Sequence, residues 1–316
     1  MDQNVIISTS SFNIDNVPQL KELQDNGIKI LLNPYKRRMT EEEVTELTKN
    51  NVIGVIAGVE PLSRAVFKAS SSLKVISRCG AATDNVDLQA AKELNILVYS
   101  TPNAPTEAVC ELTIGLMLSV LRKISLTDRT IRSKNWKPVM GSLLKTRTIG
   151  IIGLGRIGRS VAKLLNQGFG CNVLGFDPCL ANEKWNLMPC TPISSQQELL
   201  KQADLISLHI PWTKENKNII GKEEFQIMKD NAILINTSRG GLVDETALGL
   251  ALEQGKIAGA GLDVFEKEPY NGPLLKYDNV VMTMHMGSYA IESRIKMEQE
   301  AVQNLIKGLK MKGILK

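Results

Sequence analysis

Histidine is almost absent from this 316-residue chain, with two in all, and aromatic residues make up only 4%. Cysteine is sparse too: five residues, at positions 79, 110, 171, 179 and 190, odd in number and without a CxxC pair. So few soft ligands argue against a structural zinc site. The cysteine pattern fits reduced thiols in a cytoplasmic protein, not a disulfide framework. No run of about 18 apolar residues occurs, so no membrane span is expected. The opening residues MDQNVIIST lack the basic-then-apolar order of a signal peptide and read as a first strand. Charge of one sign is also missing. The formal net charge is a mild +5, with Lys and Arg interspersed among Asp and Glu, as in KEEFQIMKD. That is a solvated surface and not a nucleic-acid footprint. Such a balance would still help to collect an anionic small substrate. Low-complexity segments and short-period repeats are lacking.

What is present is alternation. At this length, 43% hydrophobic residues suffice for a large core and suggest two domains. Apolar runs at residues 5–8, 28–32, 52–57, 73–77 and 96–99 read as strands. Amphipathic segments at 18–26, 41–50 and 87–94 separate them, which predicts βαβ units and a parallel sheet. The stretch YSTPNAPTEAV breaks this rhythm with two prolines. Thr106 and Glu107 then open a long apolar helix to about residue 123, and the domain crossing falls there. A second strand series follows at 148–153, 172–176, 205–208, 232–236, 259–262 and 280–284. One more helix, 290–311, carries apolar Ile295, Ala301, Leu305 and Leu309. It has no sheet of its own to cover and is expected to return to the first domain. The fold class is therefore α/β with two sheet-bearing domains.

The strongest local signal is TIGIIGLGRIGRSVAKLL. A strand runs into Gly153, Gly155 and Gly158 at GxGxxG spacing, and a helix follows. The first glycine permits the tight turn. The second lets a pyrophosphate approach the backbone, and the third lets helix and strand pack closely. The helix N-terminus supplies free N–H groups and partial positive charge for the phosphates. The next strand, NVLGFDP, ends in Asp177, near the expected distance of about 20 residues. A carboxylate there accepts from ribose hydroxyls and repels a 2′-phosphate, which favours NAD over NADP. The bland alternative, a glycine-rich structural turn, lacks this strand-and-helix context.

Three further strand ends carry polar residues: Arg239 after AILINTS, Asp263 and Glu268 in AGLDVFEKEP, and His285 after VVMTM. Ligands of open α/β sheets bind at strand C-termini. Arginine can hold a carboxylate bidentately. Histidine is the usual proton donor near neutral pH. A carboxylate on its second ring nitrogen fixes the tautomer and favours the protonated ring. Singly, each residue reads more simply as a surface charge, a turn cap or a satisfied core histidine. Together, beside a nicotinamide site, they read as a catalytic set.

These motifs resemble the D-isomer-specific 2-hydroxyacid dehydrogenase family, and within it the phosphoglycerate dehydrogenase branch. The resemblance is carried by SRCGAATDNVDLQAAKE, TPNAPTEAVCELTIGLML, GIIGLGRIGRSVA, LINTSRGGLVDETAL, GAGLDVFEKEP and HMGS. In order, they cover about residues 74–288 and are very specific together. The resemblance implies two Rossmann-like domains with parallel sheets: residues 1–100 and 288–316 for substrate, flavodoxin-like, and 101–287 for NAD. The active site would lie in the cleft between them.

It also implies roles. Arg239 would bind the substrate carboxylate and carbonyl oxygen, His285 would be the acid/base, and Glu268 its partner. Gly80, Ala81 and Ala82 would hold the substrate carboxylate with backbone amides, and Arg78 would reach a substrate phosphate. Gly153, Gly155, Arg156, Ile157, Gly158, Asp177, His209, Ile210, Pro211, Thr237, Ser238, Asp263, His285 and Gly287 would line the NAD site. His209 is read as structural or cofactor-shaping and not as the proton donor. No metal is implied. The family is usually dimeric, with the helix after Thr106 in the interface.

The chain departs from the family pattern in places. CGAAT replaces the glycine-richer substrate loop, and Ala81 and Ala82 restrict φ there. VIAGVEP offers no second cation near Ala57 for a phosphate. Arg132, Lys134 or Lys137, from a partner subunit, would have to compensate. Cys79 reads as an inert small side chain. A regulatory extension of the kind carried by longer members is not expected, nor is serine feedback through one. The resemblance points first to oxidation of D-3-phosphoglycerate to 3-phosphohydroxypyruvate, feeding serine synthesis. A hydroxypyruvate, glyoxylate or other 2-keto acid reductase is the second reading, and an NAD-sensing interaction protein on the same scaffold the third.

Overall fold

In the computed structural model, residues 3–315 are described. The chain forms two compact units, Met1–Pro105 with Ser288–Lys316, and Thr106–Gly287.

The first unit holds strands β1 (Asn4–Ile7), β2 (Lys29–Leu32), β3 (Val52–Ala57), β4 (Val75–Arg78) and β5 (Leu97–Ser100). They pair in parallel in the order β2-β1-β3-β4-β5. Every residue of β3 is buried, as a central parallel strand covered on both faces must be. Helices α1 (Leu20–Asp25), α2 (Glu41–Thr48), α3 (Arg64–Ala69) and α4 (Leu88–Glu93) connect the strands. α2 begins with a capping box. Thr40 Oγ1 accepts the Glu43 N–H, and the Glu43 carboxylate accepts the Thr40 N–H. The run expected at 73–77 starts later as a strand, because the Leu73 N–H turns back to the Ser70 carbonyl.

The last helix, α11 (Ile291–Met311), belongs to this unit. Met297, Ala301, Val302, Leu305, Ile306 and Leu309 join Val5, Ile53 and Val75 in one core. The chain needs glycine in β3 for this: a Cβ at Gly54 would stand 2.7 Å from Leu305 Cδ1. Ile295 is only half-buried, and Met297 takes the deeper place.

The second unit starts with α5 (Thr106–Arg122) and α6 (Ile124–Arg132). Lys123, left-handed at φ +58, sets the break between them, close to where the apolar pattern ends the first helix; the second helix was not expected. Strands β6 (Thr148–Ile152), β7 (Asn172–Phe176), β8 (Thr191–Pro192), β9 (Leu205–Leu208), β10 (Ala232–Asn236), β11 (Ile257–Leu262) and β12 (Val280–Met282) follow. Between them run α7 (Arg156–Lys163), α8 (Gln196–Gln202), α9 (Lys222–Ile227) and α10 (Glu245–Glu253). The parallel order is β12-β11-β10-β9-β6-β7-β8. Strand order reverses between β6 and β9, so the binding crevice of this sheet lies beyond their C-terminal ends. α5 buries Ile114, Met117, Val120 and Leu121 in the core with Ile149, Ile151, Ile233 and Ile235. No helix among the described residues is long and apolar enough to cross a membrane.

Candidate active site

At the switch point, β6 turns into α7 through the three glycines. Gly153 adopts φ +92, and a Cβ on it would lie 2.5 Å from the His209 carbonyl oxygen and 2.7 Å from Ile210 Cγ2. The turn is thus pressed against the end of β9. A Cβ on Gly158 would come within 2.0 Å of the Gly153 carbonyl oxygen, so only glycine lets the helix start there. Gly155 differs: a Cβ there would meet nothing within 4 Å. It caps α7, whose first residues, Arg156 and Ile157, follow directly, and the space in front of it faces the helix's positive end.

Asp177, just past β7, has one carboxylate oxygen on the Leu154 N–H at 2.8 Å and the other on the Cys179 N–H at 2.9 Å. It is therefore held at the edge of the turn. Open backbone at a helix N-terminus with a carboxylate at the next strand end fits the pyrophosphate and ribose of a dinucleotide.

His209 follows β9. Its Nε2 lies 2.9 Å from Ser207 Oγ, and desolvation pushes its pKa down to about 3. A ring that stays neutral cannot be the proton donor, and its backbone forms the wall behind Gly153. Ile210 lies against the same turn, and the Pro211 carbonyl accepts from Asn216 Nδ2 at 2.6 Å. Thr237, buried after β10, shares a hydrogen bond of 2.8 Å with Thr113 of α5. Ser238 Oγ donates to the Leu208 carbonyl at 2.5 Å, tying the β10 loop to β9.

The next three strand ends carry Arg239, Glu268 and His285. Asn236 organises the β10 loop: its Oδ1 accepts the Ser238 N–H at 3.0 Å and its Nδ2 donates to the Arg239 carbonyl at 2.9 Å. Arg239 Nη1 donates to the Ser238 carbonyl at 2.6 Å. After β11, Glu268 turns back on its own loop. Its Oε1 accepts the Phe265 N–H at 3.1 Å, and its Oε2 lies 2.8 Å from His285 Nδ1. The expected strand 280–284 ends at Met282, and His285 sits in the following turn at φ +51. Asp263, 1% exposed, holds that turn by accepting from Thr283 Oγ1 and the Met286 and Gly287 N–H groups.

The β4 loop of the other unit carries the remaining expected residues. Arg78 folds over its own loop: Nη1 donates to the Cys79 carbonyl at 2.6 Å, and a Cβ on Gly80 would overlap the guanidinium. Gly80, at φ +151, gives its N–H to Thr101 Oγ1 at 2.8 Å and points it also at the Arg78 carbonyl, 3.0 Å away. That N–H is committed within the unit. Ala81 is exposed and Ala82 half-buried. Burial pushes the Cys79 thiol up to about 11. Behind the loops, buried Glu60 accepts from Ser8 Oγ and from the Gly58 N–H. Thr101, Asn236, Thr283 and Glu60 were not singled out from the sequence. Their positions at strand ends were the only signal, and strand ends do not say which loop a side chain will hold.

Comparison with known proteins gives the family. The family model described as "D-isomer specific 2-hydroxyacid dehydrogenase, NAD binding domain" matches residues 114–287. A D-3-phosphoglycerate dehydrogenase of Methanocaldococcus jannaschii is 42% identical over 86% of this chain and 53% of its own. A glyoxylate reductase of Thermococcus litoralis is 37% identical over 90% of this chain and 91% of its own. The crystal structure of a glyoxylate reductase from Paecilomyes thermophila superposes with a TM-score of 0.87 at 31% identity, covering 100% of this chain and 97% of that one. The chain spans about half the length of the phosphoglycerate dehydrogenases it matches. Residues 114–287 form an NAD-binding domain, and the chain belongs to the D-isomer-specific 2-hydroxyacid dehydrogenase family.

Proposed function

We propose that the protein is an NAD-dependent D-2-hydroxyacid dehydrogenase that interconverts D-3-phosphoglycerate and 3-phosphohydroxypyruvate at the head of serine synthesis. The observation that carries the chemistry is the 2.8 Å pairing of Glu268 Oε2 with His285 Nδ1. It commits one ring nitrogen and leaves Nε2 as the atom that exchanges a proton with substrate. NAD, when bound, supplies or accepts the hydride. The turn at Gly153, Gly155 and Gly158 with Arg156, Ile157 and Asp177 binds its pyrophosphate and adenosine ribose. Ile210, Pro211, Thr237, Ser238, Asp263 and Gly287 shape the rest of that pocket, with His209 as its wall.

In the reducing direction, Arg239 holds the 2-keto acid carboxylate and polarises the carbonyl. His285 Nε2 then donates a proton to the carbonyl oxygen as negative charge develops there. Glu268 stabilises the charged ring and fixes its orientation. The oxidative direction returns the proton to Nε2. Ala81 and Ala82 are the loop residues whose N–H groups would meet the carboxylate, since that of Gly80 is engaged by Thr101. Arg78, at the end of β4, is the cation assigned to the phosphate.

A second reading, reduction of glyoxylate or hydroxypyruvate, has its own support. The relatives matched over nine-tenths of both chains are named for those acids. The loop after β3 also presents exposed Val59 where a second phosphate-binding cation would stand.

A homodimer is part of the proposal. Ile124, Ile131, Trp136, Val139, Met140 and Leu143 are exposed along α6 and the following segment, with Trp136 at 83% and Met140 at 92%. This surface, more than the largely buried α5, is the one for a second copy to cover. All five cysteines are free, which suits a reducing, cytoplasmic setting.

The test is NADH oxidation with 3-phosphohydroxypyruvate, hydroxypyruvate and glyoxylate in parallel. A kcat/KM at least about a hundredfold higher for the phosphorylated acid, roughly 2.7 kcal/mol, supports the phosphate role of Arg78. A flat profile or a preference for an unphosphorylated acid moves the assignment to the reductase. Retained turnover in His285→Ala would overturn the proton-transfer role.

A further inference from the structure

The loops bearing Arg239 and Glu268 meet at one peptide. A Cβ on Gly240 would stand 1.8 Å from the Phe265 carbonyl oxygen and 2.6 Å from the Glu266 nitrogen. The residue after Arg239 therefore lies flat against the Phe265–Glu266 peptide. Two carboxylates hold the backbone here. Glu268 Oε1 takes the Phe265 N–H at 3.1 Å, and Glu245 Oε1 takes the Glu266 N–H at 2.8 Å. On its far side the loop is fixed by the Phe265–Tyr270 ring stack, with centroids 4.2 Å apart.

Glu245 is oddly placed for a surface residue. It is the first residue of α10, but that helix is already capped by Asp244, whose Oδ1 accepts from the Thr246 and Ala247 N–H groups. Burial raises the pKa of Glu245. Glu266, Asp244 and Glu268 add to the rise, and only the Glu266 N–H opposes it. Lys217 pairs with Glu266 at 3.3 Å. A half-buried carboxylate among three others is unfavourable unless it does something the fold needs. Its hydrogen bond to the Glu266 N–H is that use.

We propose that Glu245 is a positioning residue for the Glu268–His285 pair. By fixing the Phe265–Glu266 peptide against Gly240, it keeps Glu268 Oε2 within hydrogen-bond reach of His285 Nδ1 and keeps Arg239 in register with both. This role rests on the dehydrogenase reading for its consequence in catalysis, but the placement itself can be read without substrate. Free imidazole prefers the Nε2–H tautomer, so a Glu268 partner on Nδ1 pins His285 in the opposite, Nδ1–H form. The chain has only two histidines, so ¹⁵N-histidine labelling resolves His285 from His209.

The experiment compares wild type, Glu245→Gln and Glu245→Ala by ¹⁵N ring spectra, at a pH where the ring is neutral, and by kcat. Gln keeps an oxygen for the Glu266 N–H, and Ala does not. Wild type and Glu245→Gln are expected to show the Nδ1–H form, with kcat within about threefold of each other. Glu245→Ala is expected to mix the tautomers and lose at least about tenfold in kcat, with the Kd for NADH unchanged. Glu245→Ala with a pinned tautomer and full kcat would overturn the proposal, as would Glu245→Gln behaving like Glu245→Ala. If Glu245→Ala does not fold, the Gln variant alone decides. Lack of wild-type turnover on every 2-keto acid, with the tautomer pattern as expected, would strike the dehydrogenase reading and leave the role of Glu245 standing.

Discussion

The backbone carbonyl of Asp263 accepts the N–H of His285 at 2.8 Å, while its carboxylate takes the N–H groups of the next two residues, Met286 and Gly287, also at 2.8 Å. One buried aspartate thus specifies the turn that presents the histidine. The turn needs specifying, because His285 sits at φ +51, a conformation costing a non-glycine residue on the order of 1 kcal/mol. Asp263→Asn replaces one acceptor oxygen by an NH₂ group facing an N–H or hydroxyl donor. The expected loss is about 2 kcal/mol of stability and at least about tenfold in kcat. Denaturant unfolding and steady-state rates check it together. Wild-type values in both would mean that the His285 turn holds without the carboxylate.

The glycine fingerprint separates binding from folding. Gly155→Ala puts a methyl group into open space in front of α7, so the melting temperature should hardly move while the Kd for NADH rises at least about tenfold. Gly158→Ala drives its methyl group to 2.0 Å from a backbone oxygen, and the expected cost is about 2 kcal/mol or more of stability. Thermal unfolding and a fluorescence titration with NADH distinguish the two. Equal behaviour of the two variants would mean that Gly155 is structural and the cradle lies elsewhere.

The contrast between those glycines also shows what a sequence can carry. The two parallel sheets, the fingerprint between β6 and α7, and Asp177 after β7 were legible because each is a local pattern of period, turn residue and spacing. Arg239, Glu268 and His285 were legible as polar residues at successive strand ends. The partners that aim them were not. Asp263 was expected to line the cofactor pocket, and the structure gives its carboxylate to the His285 turn, which lies far along the chain. Gly80 was expected to offer its amide to substrate, and Thr101 takes it. Glu245 and Gly240 act on a peptide some twenty residues away. Such contacts depend on loop conformations set by tertiary packing, which has no period to read. The end of α5 was legible, but α6 after it was not, since none of its residues is buried and it shows no apolar face packed on the core.

The cysteines should react unequally. Cys79 and Cys190 are pushed up to about 11 by burial, and Cys110 likewise, so their thiolate fraction near pH 8 is about a thousandth. Cys179 is exposed and sits two residues after Asp177, where the adenosine ribose is proposed to bind. The native protein should show one fast thiol with a disulfide reagent, assignable to Cys179 by peptide mapping. Saturating NAD should slow it. Fast labelling at Cys79 would show that the β4 loop opens, and an unchanged Cys179 rate with NAD would move the ribose away from Asp177.

His209 gives stability a pH dependence whose sign follows from its environment. Desolvation lowers its folded pKa to about 3, against about 6.5 in the unfolded chain. Below pH 6.5 the unfolded chain takes up a proton that the folded one refuses, so this contribution is fully present above that pH and is lost as pH falls. The slope is about 1.4 kcal/mol per pH unit at most, and it continues toward the folded pKa. His209→Gln keeps a polar group near Ser207 but does not titrate. The stability difference between wild type and His209→Gln, measured by urea unfolding of the cofactor-free proteins, should be constant above about pH 7 and shrink steadily from pH 6 to pH 4.5. Groups common to both proteins cancel in that difference, so a flat line would mean that the His209 ring is hydrated and protonates in the folded state. In that case the wall behind Gly153 would carry positive charge in mild acid, and the Kd for NADH would be expected to tighten over the same interval instead of staying level.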